Sequence, residues 1–148
     1  MTRFRLIFGA LVATAMAAGV ACTRNQNDAA VEPTGPSDRE FTLVAVMTGY
    51  YGRGGEIDGT RNPVLRAREG ETVSITIVNG ERMVHDIALR RHRVRSDTIV
   101  ESGAVTGITF VAETDDRYYC TIPGHVEAGM AGEFKLIDDT PVVAHNEL

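Results

Sequence analysis

The sequence predicts an all-β domain, a β-sandwich or barrel, and three features of the chain support this fold class. Apolar and polar residues alternate with a period of two in several short segments, as they do in half-buried strands. Glycine residues and an Asn-Gly pair separate these segments. A helical period is missing from the segments that follow the polar N-terminal region. Short strands joined by frequent turns are typical of sandwiches and barrels.

The most regular candidate strand covers residues 72–78 and places three β-branched residues on one face, with threonine and serine on the other. Asn79 and Gly80 follow it as a strong hairpin signal, so residues 84–90 are expected to return as its paired strand. The stretch 49–63 is interpreted as a loop. The other candidate strands are rich in β-branched and aromatic residues: 41–47, 107–113, 117–120 and 132–138.

The N-terminal segment has the composition of an export signal. Two arginines precede an apolar run over residues 6–21, which is short for a bilayer span of roughly 20 apolar residues. Cys22 follows in a context that resembles the lipobox of bacterial lipoproteins, although Gly19 stands where a large aliphatic residue is usual. Ordinary cleavage near Ala18 or Ala21 and an uncleaved anchor are alternatives. All three readings export the domain across a membrane.

The chain is predicted to have four parts. Residues 1–21 form a signal peptide, with a lipoprotein signal as one of its readings, and residues 22–40 form a flexible polar linker. Residues 41–138 form the folded domain, and residues 139–148 a frayed tail. The predicted location is the periplasm or the outer face of a membrane, with attachment through a lipidated Cys22 as one form. The net charge of −5 argues against a nucleic-acid partner.

Cys120 is left without an obvious disulfide partner. The other cysteine is either lipidated or carried on the distant linker. In an oxidising exported compartment, an unpaired thiol is buried and inert, reactive, or bound to a metal. The residues around Cys120 decide which of these readings to prefer.

The neighbours of Cys120 favour metal binding. His125 and Met130 follow it at regular spacing, so three side chains on one loop between strands can converge on a point. A soft thiolate, a thioether and imidazole are ligands that suit copper. A fourth ligand has to come from elsewhere, and His85 stands at the start of a candidate strand. Two histidines and a cysteine in a plane, with a weak axial methionine, form a blue-copper electron-transfer site.

The segments MVHDIAL and YYCTIPGHVEAGMAGEF resemble those of the cupredoxins, and the C-x4-H-x4-M spacing is similar to that of rusticyanin-like and sulfocyanin-like members. The resemblance covers about residues 41–138. It implies a Greek-key β-sandwich with one type 1 copper ion at one end, held by His85, Cys120, His125 and Met130. The implied function is the transfer of single electrons between redox partner proteins, such as a cytochrome, an oxidase or a reductase.

Three residues beside these ligands carry further expectations. Asp86 stands where the family often has asparagine or serine. Its N–H can donate to the Cys120 sulfur, and its carboxylate would tend to lower the reduction potential. Thr121 is expected to connect the ligand loop to the Asp86 segment through its hydroxyl. Pro123 has no N–H, so it can lie against the metal end without adding a buried donor.

Two surfaces are candidates for docking a partner. One is an apolar patch around the edge of His125, where electrons are expected to leave, which would include Pro123, Val126 and Ala128. The other is the arginine-rich run over residues 90–95, interpreted as a solvated strand or loop that could dock an acidic partner.

Two other functions compete with electron transfer. A copper enzyme would need a second copper centre, but only His92 and His145 remain for it, and both are expected at the surface. The chain is therefore predicted not to be an enzyme. A copper carrier or storage protein without an electron-transfer role stays open as the alternative. Colour separates the two, because a copper–thiolate site should be intensely blue and should bleach reversibly on reduction.

Overall fold

The computed structural model describes residues 36–137. The predicted signal peptide, Cys22 with its lipidation, most of the linker, and the tail with His145 lie outside these residues. Within residues 36–137, no helix is long and apolar enough to cross a membrane. In chain order the elements are β1 (Arg39–Val46), β2 (Gly49–Gly52), a 3-10 turn (Gly55–Ile57), β3 (Leu65–Ala67), β4 (Thr72–Asn79), β5 (Ala88–Leu89), β6 (Val94–Arg95), β7 (Val105–Val111), β8 (Asp116–Tyr119), α1 (His125–Ala128) and β9 (Ala131–Leu136).

The strands form two mixed sheets, which confirms the predicted all-β sandwich. The first sheet has the order β2-β1-β4-β7, and the second has the order β3-β9-β8-β5-β6. β1 and β4 run parallel, as do β3 and β9, and the other neighbours are antiparallel. α1 is a single turn between the last two strands of the chain, so regular helix is almost absent from the described part of the chain.

The core lies between the sheets and is largely aliphatic. In β4, Val73, Ile75 and Ile77 are fully buried, and the residues between them are partly exposed, as the period-two pattern predicted. Burying one such side chain contributes about 1.5–3 kcal/mol to folding. The large aromatic residues Tyr118 and Phe134 fill the core from the second sheet.

The predicted hairpin after β4 is wrong, because β4 pairs with β1 and β7 and residues 84–90 contribute to the second sheet. Neither Asn79 nor Gly80 adopts the positive φ that a type I′ turn requires. Asn79 is buried, and its side-chain amide donates to the carbonyls of Met83 at 2.8 Å and Val100 at 3.0 Å. A Cβ at Gly80 would lie only 2.7 Å from Cγ1 of Val46. The pair therefore anchors a crossover between the sheets.

Two further boundaries differ from the sequence expectations. β1 begins at Arg39, two residues inside the predicted linker, and Asp38 leads into it by accepting the N–H of Thr72 at 2.8 Å. The stretch 49–63 is more than a loop, because β2 pairs with β1 as an edge strand of the first sheet. The first difference arises from the pairing of β1 with the distant β4, and the second from the pairing of β2 with its chain neighbour β1.

Candidate metal centre

Three of the predicted ligands converge at one end of the sandwich. The donor atoms of His85, Cys120 and His125 all lie within 4.8 Å of one another, and all three residues are buried. His85 precedes β5, Cys120 follows β8, and His125 begins α1. The cluster therefore joins residues that are far apart in the chain, and the spacing between two of them is set by one short loop.

Backbone hydrogen bonds hold the ligand loop in a closed shape. The N–H of Met130 donates to the carbonyl of His125 at 2.9 Å, and the N–H of Cys120 donates to the carbonyl of Met130 at 3.1 Å. Gly124 and Gly129 flank α1 with φ of 85° and 117°, which is a conformation that favours glycine. Met130, the predicted fourth ligand, is fully buried next to Cys120 in this fold of the chain.

His85 is fixed in place from both sides. Its backbone forms a pair of 2.9 Å hydrogen bonds with Ile99, and its ring Nε2 lies 3.2 Å from Oε1 of Glu81. Because Glu81 can only accept when ionised, Nε2 carries the hydrogen and Nδ1 presents a lone pair. Nδ1 is buried and has no hydrogen-bond partner among the described residues.

An unpaired buried ring nitrogen is costly unless something binds it. Leaving a buried polar group unsatisfied costs about 1–3 kcal/mol, so such a group calls for an explanation. The free Nδ1 of His85 belongs to the cluster in which Nδ1 of His125 lies 3.5 Å from the sulfur of Cys120. Two imidazole nitrogens and a thiol sulfur directed at one point fit a soft metal ion such as copper.

The surroundings shift the titration of these donors. Burial is the largest influence on the pKa of His85 and lowers it; Glu81 opposes this change, and His125 reinforces it. The site therefore favours neutral imidazole at His85, which is the form that binds metals. Burial raises the pKa of the Cys120 thiol, while the N–H groups of Asp86 and Ile122 donate to the sulfur and lower it. A bound cation favours the thiolate directly.

Asp86 connects the two ligand-bearing segments. Its Oδ1 accepts the N–H of Thr121 at 2.7 Å, and its Oδ2 accepts the Thr121 hydroxyl at 2.5 Å, which is the connection expected from the sequence. Arg95 pairs with the same carboxylate at 2.8 Å and offsets its charge. Burial raises the pKa of Asp86, but the hydrogen bonds from Thr121 and Arg95 outweigh it and lower the pKa overall. Tyr50 donates its hydroxyl to the Asp86 carbonyl.

Pro123 and His92 differ from each other in their exposure to solvent. Pro123 lies in the ligand loop but is exposed. The expected surface position of His92 is wrong, because its side chain is only 2% exposed. It packs against Phe110 and Phe134 with ring centroids 4.6 and 5.6 Å away, and it is not a member of the metal cluster. The run of arginines around His92 indicated a solvated segment, but the contacts with Phe110, Phe134 and Asp116 bury its ring.

Sequence reasoning missed Glu81. Its Oε1 accepts the N–H of Met47 at 2.5 Å as well as contacting Nε2 of His85, so it links the β1–β2 turn to the cluster. Metal-binding histidines commonly donate their second ring N–H to a carboxylate. A carboxylate four residues before a candidate histidine ligand was the available signal, but only the crossover after β4 brings the two side chains together.

The fold is similar to that of solved copper proteins. Auracyanin B matches with a TM-score of 0.55 at 14% identity, over 70% of this chain and 92% of that one. Rusticyanin from Thiobacillus ferrooxidans matches with 0.51 at 22% identity, over 69% and 79%. Copper nitrite reductase from Nitrosomonas europaea matches with 0.51 at 24% identity, over 69% of this chain but only 42% of that one. No protein-family model and no curated protein matches this chain in sequence.

The chain therefore has the cupredoxin fold, as the sequence resemblance implied. Its buried His-Cys-His cluster fits a blue copper site that holds one copper ion.

Proposed function

We propose that this protein is a blue copper protein that carries single electrons between redox partners outside the cytoplasm. The observation that supports this most directly is the buried cluster of His85, Cys120 and His125, in which Nδ1 of His85 has no partner in the described part of the chain. When bound there, copper would supply a one-electron couple between its cuprous and cupric states. No other chemistry needs to be assigned to the ion.

In this proposal His85 and His125 bind through Nδ1 and Cys120 binds through its thiolate. Met130 would supply the fourth, weaker ligand, because the loop returns it to Cys120 and buries it completely. Each ligand is held independently of the metal: His85 by Ile99 and Glu81, and the Cys120 loop by Asp86. Ligands that are held in this way move little when the charge of the site changes, which favours rapid electron exchange.

The proposed route for the electron is the edge of His125. Its side chain is nearly buried, at 4% residue exposure, and the neighbouring Pro123 and Ala128 are exposed while Val126 is half-buried. A partner that contacts these small apolar residues would approach the imidazole without having to rearrange the ligand loop.

We propose an electron carrier rather than an enzyme. A second copper centre would need more histidines, and in residues 36–137 the remaining one, His92, is already bonded to Asp116 and Glu113. The proposed location outside the cytoplasm rests on the N-terminal segment, and attachment through a lipidated Cys22 is its finer form. Mass spectrometry of the mature N-terminus tests both: cleavage of the leader supports export, a diacylated Cys22 at the new N-terminus supports the anchor, and an unmodified Cys22 contradicts the anchor.

The test of the main proposal is spectroscopic. The purified protein is loaded with copper, and its optical and electron-spin spectra are recorded during a redox titration. We expect an intense blue band that bleaches on reduction and returns on oxidation, with one copper ion per chain. A colourless but tight cuprous complex would instead favour a copper carrier or storage protein without an electron-transfer role.

A further inference from the structure

A depression lies on the outer face of the second sheet, beside the candidate metal centre. It has a volume of about 360 Å³ and is lined by Arg90, Arg91, Asp116, Arg117, Tyr119 and Val126. Two of these residues are chain neighbours of predicted ligands, because Tyr119 precedes Cys120 and Val126 follows His125. We call this feature the arginine depression.

Local carboxylates offset only part of the positive charge of the arginine depression, since Asp116 is the one acid in its lining and the Asp115 carboxylate interacts with Arg91 but also pairs with Lys135. The side chains of Arg90 and Arg117 have no hydrogen-bond or ion-pair partner in the part of the chain that the structure describes. The guanidinium of Arg91 donates to the backbone carbonyl of Asp115 at 3.1 Å. Glu133 is the cross-strand neighbour of Arg117, but its carboxylate lies 4.0 Å from the ammonium of Lys135.

The one carboxylate that lines the depression, that of Asp116, is already hydrogen-bonded to other groups. Asp116 is 4% exposed, and its Oδ2 accepts hydrogen bonds from the N–H of Arg91 at 2.8 Å and from the ring of His92 at 2.9 Å. It therefore cannot turn toward the guanidinium groups without breaking these bonds. A local excess of positive charge results in a chain whose net charge is −5.

The hairpin next to the depression carries a further arginine in an unfavourable position. Arg93 has φ of 56°, in the left-handed region that favours glycine or asparagine. It lies in the tight turn where its N–H donates to the carbonyl of Arg90. Arg93 does not line the arginine depression itself, but it adds a positive charge to the hairpin beside it.

We propose that the arginine depression docks an acidic segment of the protein partner, whose Asp or Glu side chains contact Arg90, Arg91 and Arg117. This rests on the proposed electron-transfer function. Guanidinium groups bind carboxylates in a planar, two-point geometry. Arginine and tyrosine are also the residues that contribute most at the centres of protein interfaces. Opposite charges on the two surfaces would steer the partner to the side of the molecule nearest Cys120 and His125.

The test measures binding of a hexaglutamate peptide to the purified full chain by NMR titration at low ionic strength. In the double variant Arg90→Glu/Arg117→Glu we expect the dissociation constant to rise about tenfold or more. The matched control is Arg53→Glu/Arg66→Glu, which makes the same charge change at two exposed arginines outside the depression, and we expect it to stay within about twofold of the parent. All four arginines are exposed, and equal melting temperatures check that the variants fold.

Equal losses in both double variants would overturn the proposal, because they would show a general charge effect. Arginine-dependent binding to vesicles that contain phosphatidylserine, without binding of the peptide, would also overturn it in favour of a membrane surface. The visible spectrum of each copper-loaded protein is recorded in parallel. Blue proteins whose peptide binding does not depend on these arginines would refute the docking site alone, whereas a parent that is not blue would refute the proposed function and the docking site with it.

Discussion

Two buried histidines stand at either end of β5, and their surroundings differ in one decisive respect. His92 follows the strand and is satisfied at both ring nitrogens: Nδ1 lies 2.9 Å from Asp116, and Nε2 accepts the N–H of Glu113 at 3.4 Å. His85 precedes the strand and is satisfied at only one, through Glu81, while its Nδ1 is left without a partner among the described residues.

The side chains around the two histidines also differ. His92 packs against the rings of Phe110 and Phe134, so it behaves as a core residue with a polar attachment. The ring of His85 faces that of His125, with centroids 5.1 Å apart, and the thiol of Cys120. Burial alone therefore does not separate a structural histidine from a ligand. The unpaired Nδ1 of His85 does, because it is a buried nitrogen without a hydrogen-bond partner among the described residues that lies beside two other metal-binding side chains.

The largest effect is expected for Cys120→Ser, which removes the thiol from the cluster that contains His85. The hydroxyl is a harder and weaker ligand than the thiolate. We expect the copper-loaded variant to lose the blue absorption completely, while far-ultraviolet circular dichroism shows an intact fold. A variant that stays blue would show that the cluster is not the copper site.

The pair His85→Ala and His92→Ala tests the comparison directly. We expect His85→Ala to abolish the blue band and to destabilise the metal-free protein less than His92→Ala does, because one of the two buried ring nitrogens that it removes has no partner among the described residues. We expect His92→Ala to keep the blue band but to lower the free energy of unfolding by about 3 kcal/mol, since it removes the ring that packs against Phe110 and Phe134 and one hydrogen bond to Asp116. Absorption spectra and urea unfolding measure both. If both variants lost the blue band, or both kept it, His85 and His92 could not be separated into a metal ligand and a structural residue.

Glu81→Ala tests what the hydrogen bond between Nε2 of His85 and Glu81 contributes to copper binding. Without the carboxylate, the ring loses the partner that orients it and sets its tautomer, so we expect copper affinity to fall about tenfold in competition with a chelator. Glu81→Gln keeps an acceptor oxygen and serves as the control, with a smaller loss. Equal affinity in the alanine variant would mean that packing alone orients His85.

Met130→Leu separates the axial position from the other three donors. Leucine keeps the volume and burial but offers no sulfur. We therefore expect a blue protein with a raised reduction potential, measured by redox titration. An unchanged potential would argue that Met130 only packs against the site.

The smallest effect concerns the pH dependence of stability at the His92 end. Burial raises the pKa of Asp116, but hydrogen bonds from His92 and from backbone N–H groups outweigh it and lower the pKa overall. A lowered folded-state pKa adds stability above the unfolded value of about 3.9, and this stability is lost as pH falls through the folded value. In Asp116→Asn we expect urea midpoints to fall less between pH 6 and pH 3 than in the parent. A parallel fall would show that other acids account for it.

Local patterns in the sequence determined much of this protein. The alternation in β4 predicted a strand with one buried face, because side chains on a strand alternate whatever its partners are. The spacing of Cys120, His125 and Met130 predicted a ligand loop, because a short loop limits how far apart its side chains can lie. The family resemblance supported His85 as the fourth ligand and narrowed the sandwich or barrel to a Greek-key β-sandwich.

Tertiary structure alone decided the rest, because those features depend on contacts between distant parts of the chain. Asn79 and Gly80 look like a hairpin turn locally, but the amide partners of Asn79 and the close approach of β1 to Gly80 make them a crossover. His92 became a core residue only when Asp116 and two phenylalanines surrounded it. The contact between Glu81 and His85 depends on the conformation of the crossover from β4 to β5, and the arginine depression forms only where separate segments of the chain come together. A sequence lists such groups, but the pairing of strands decides which of them touch.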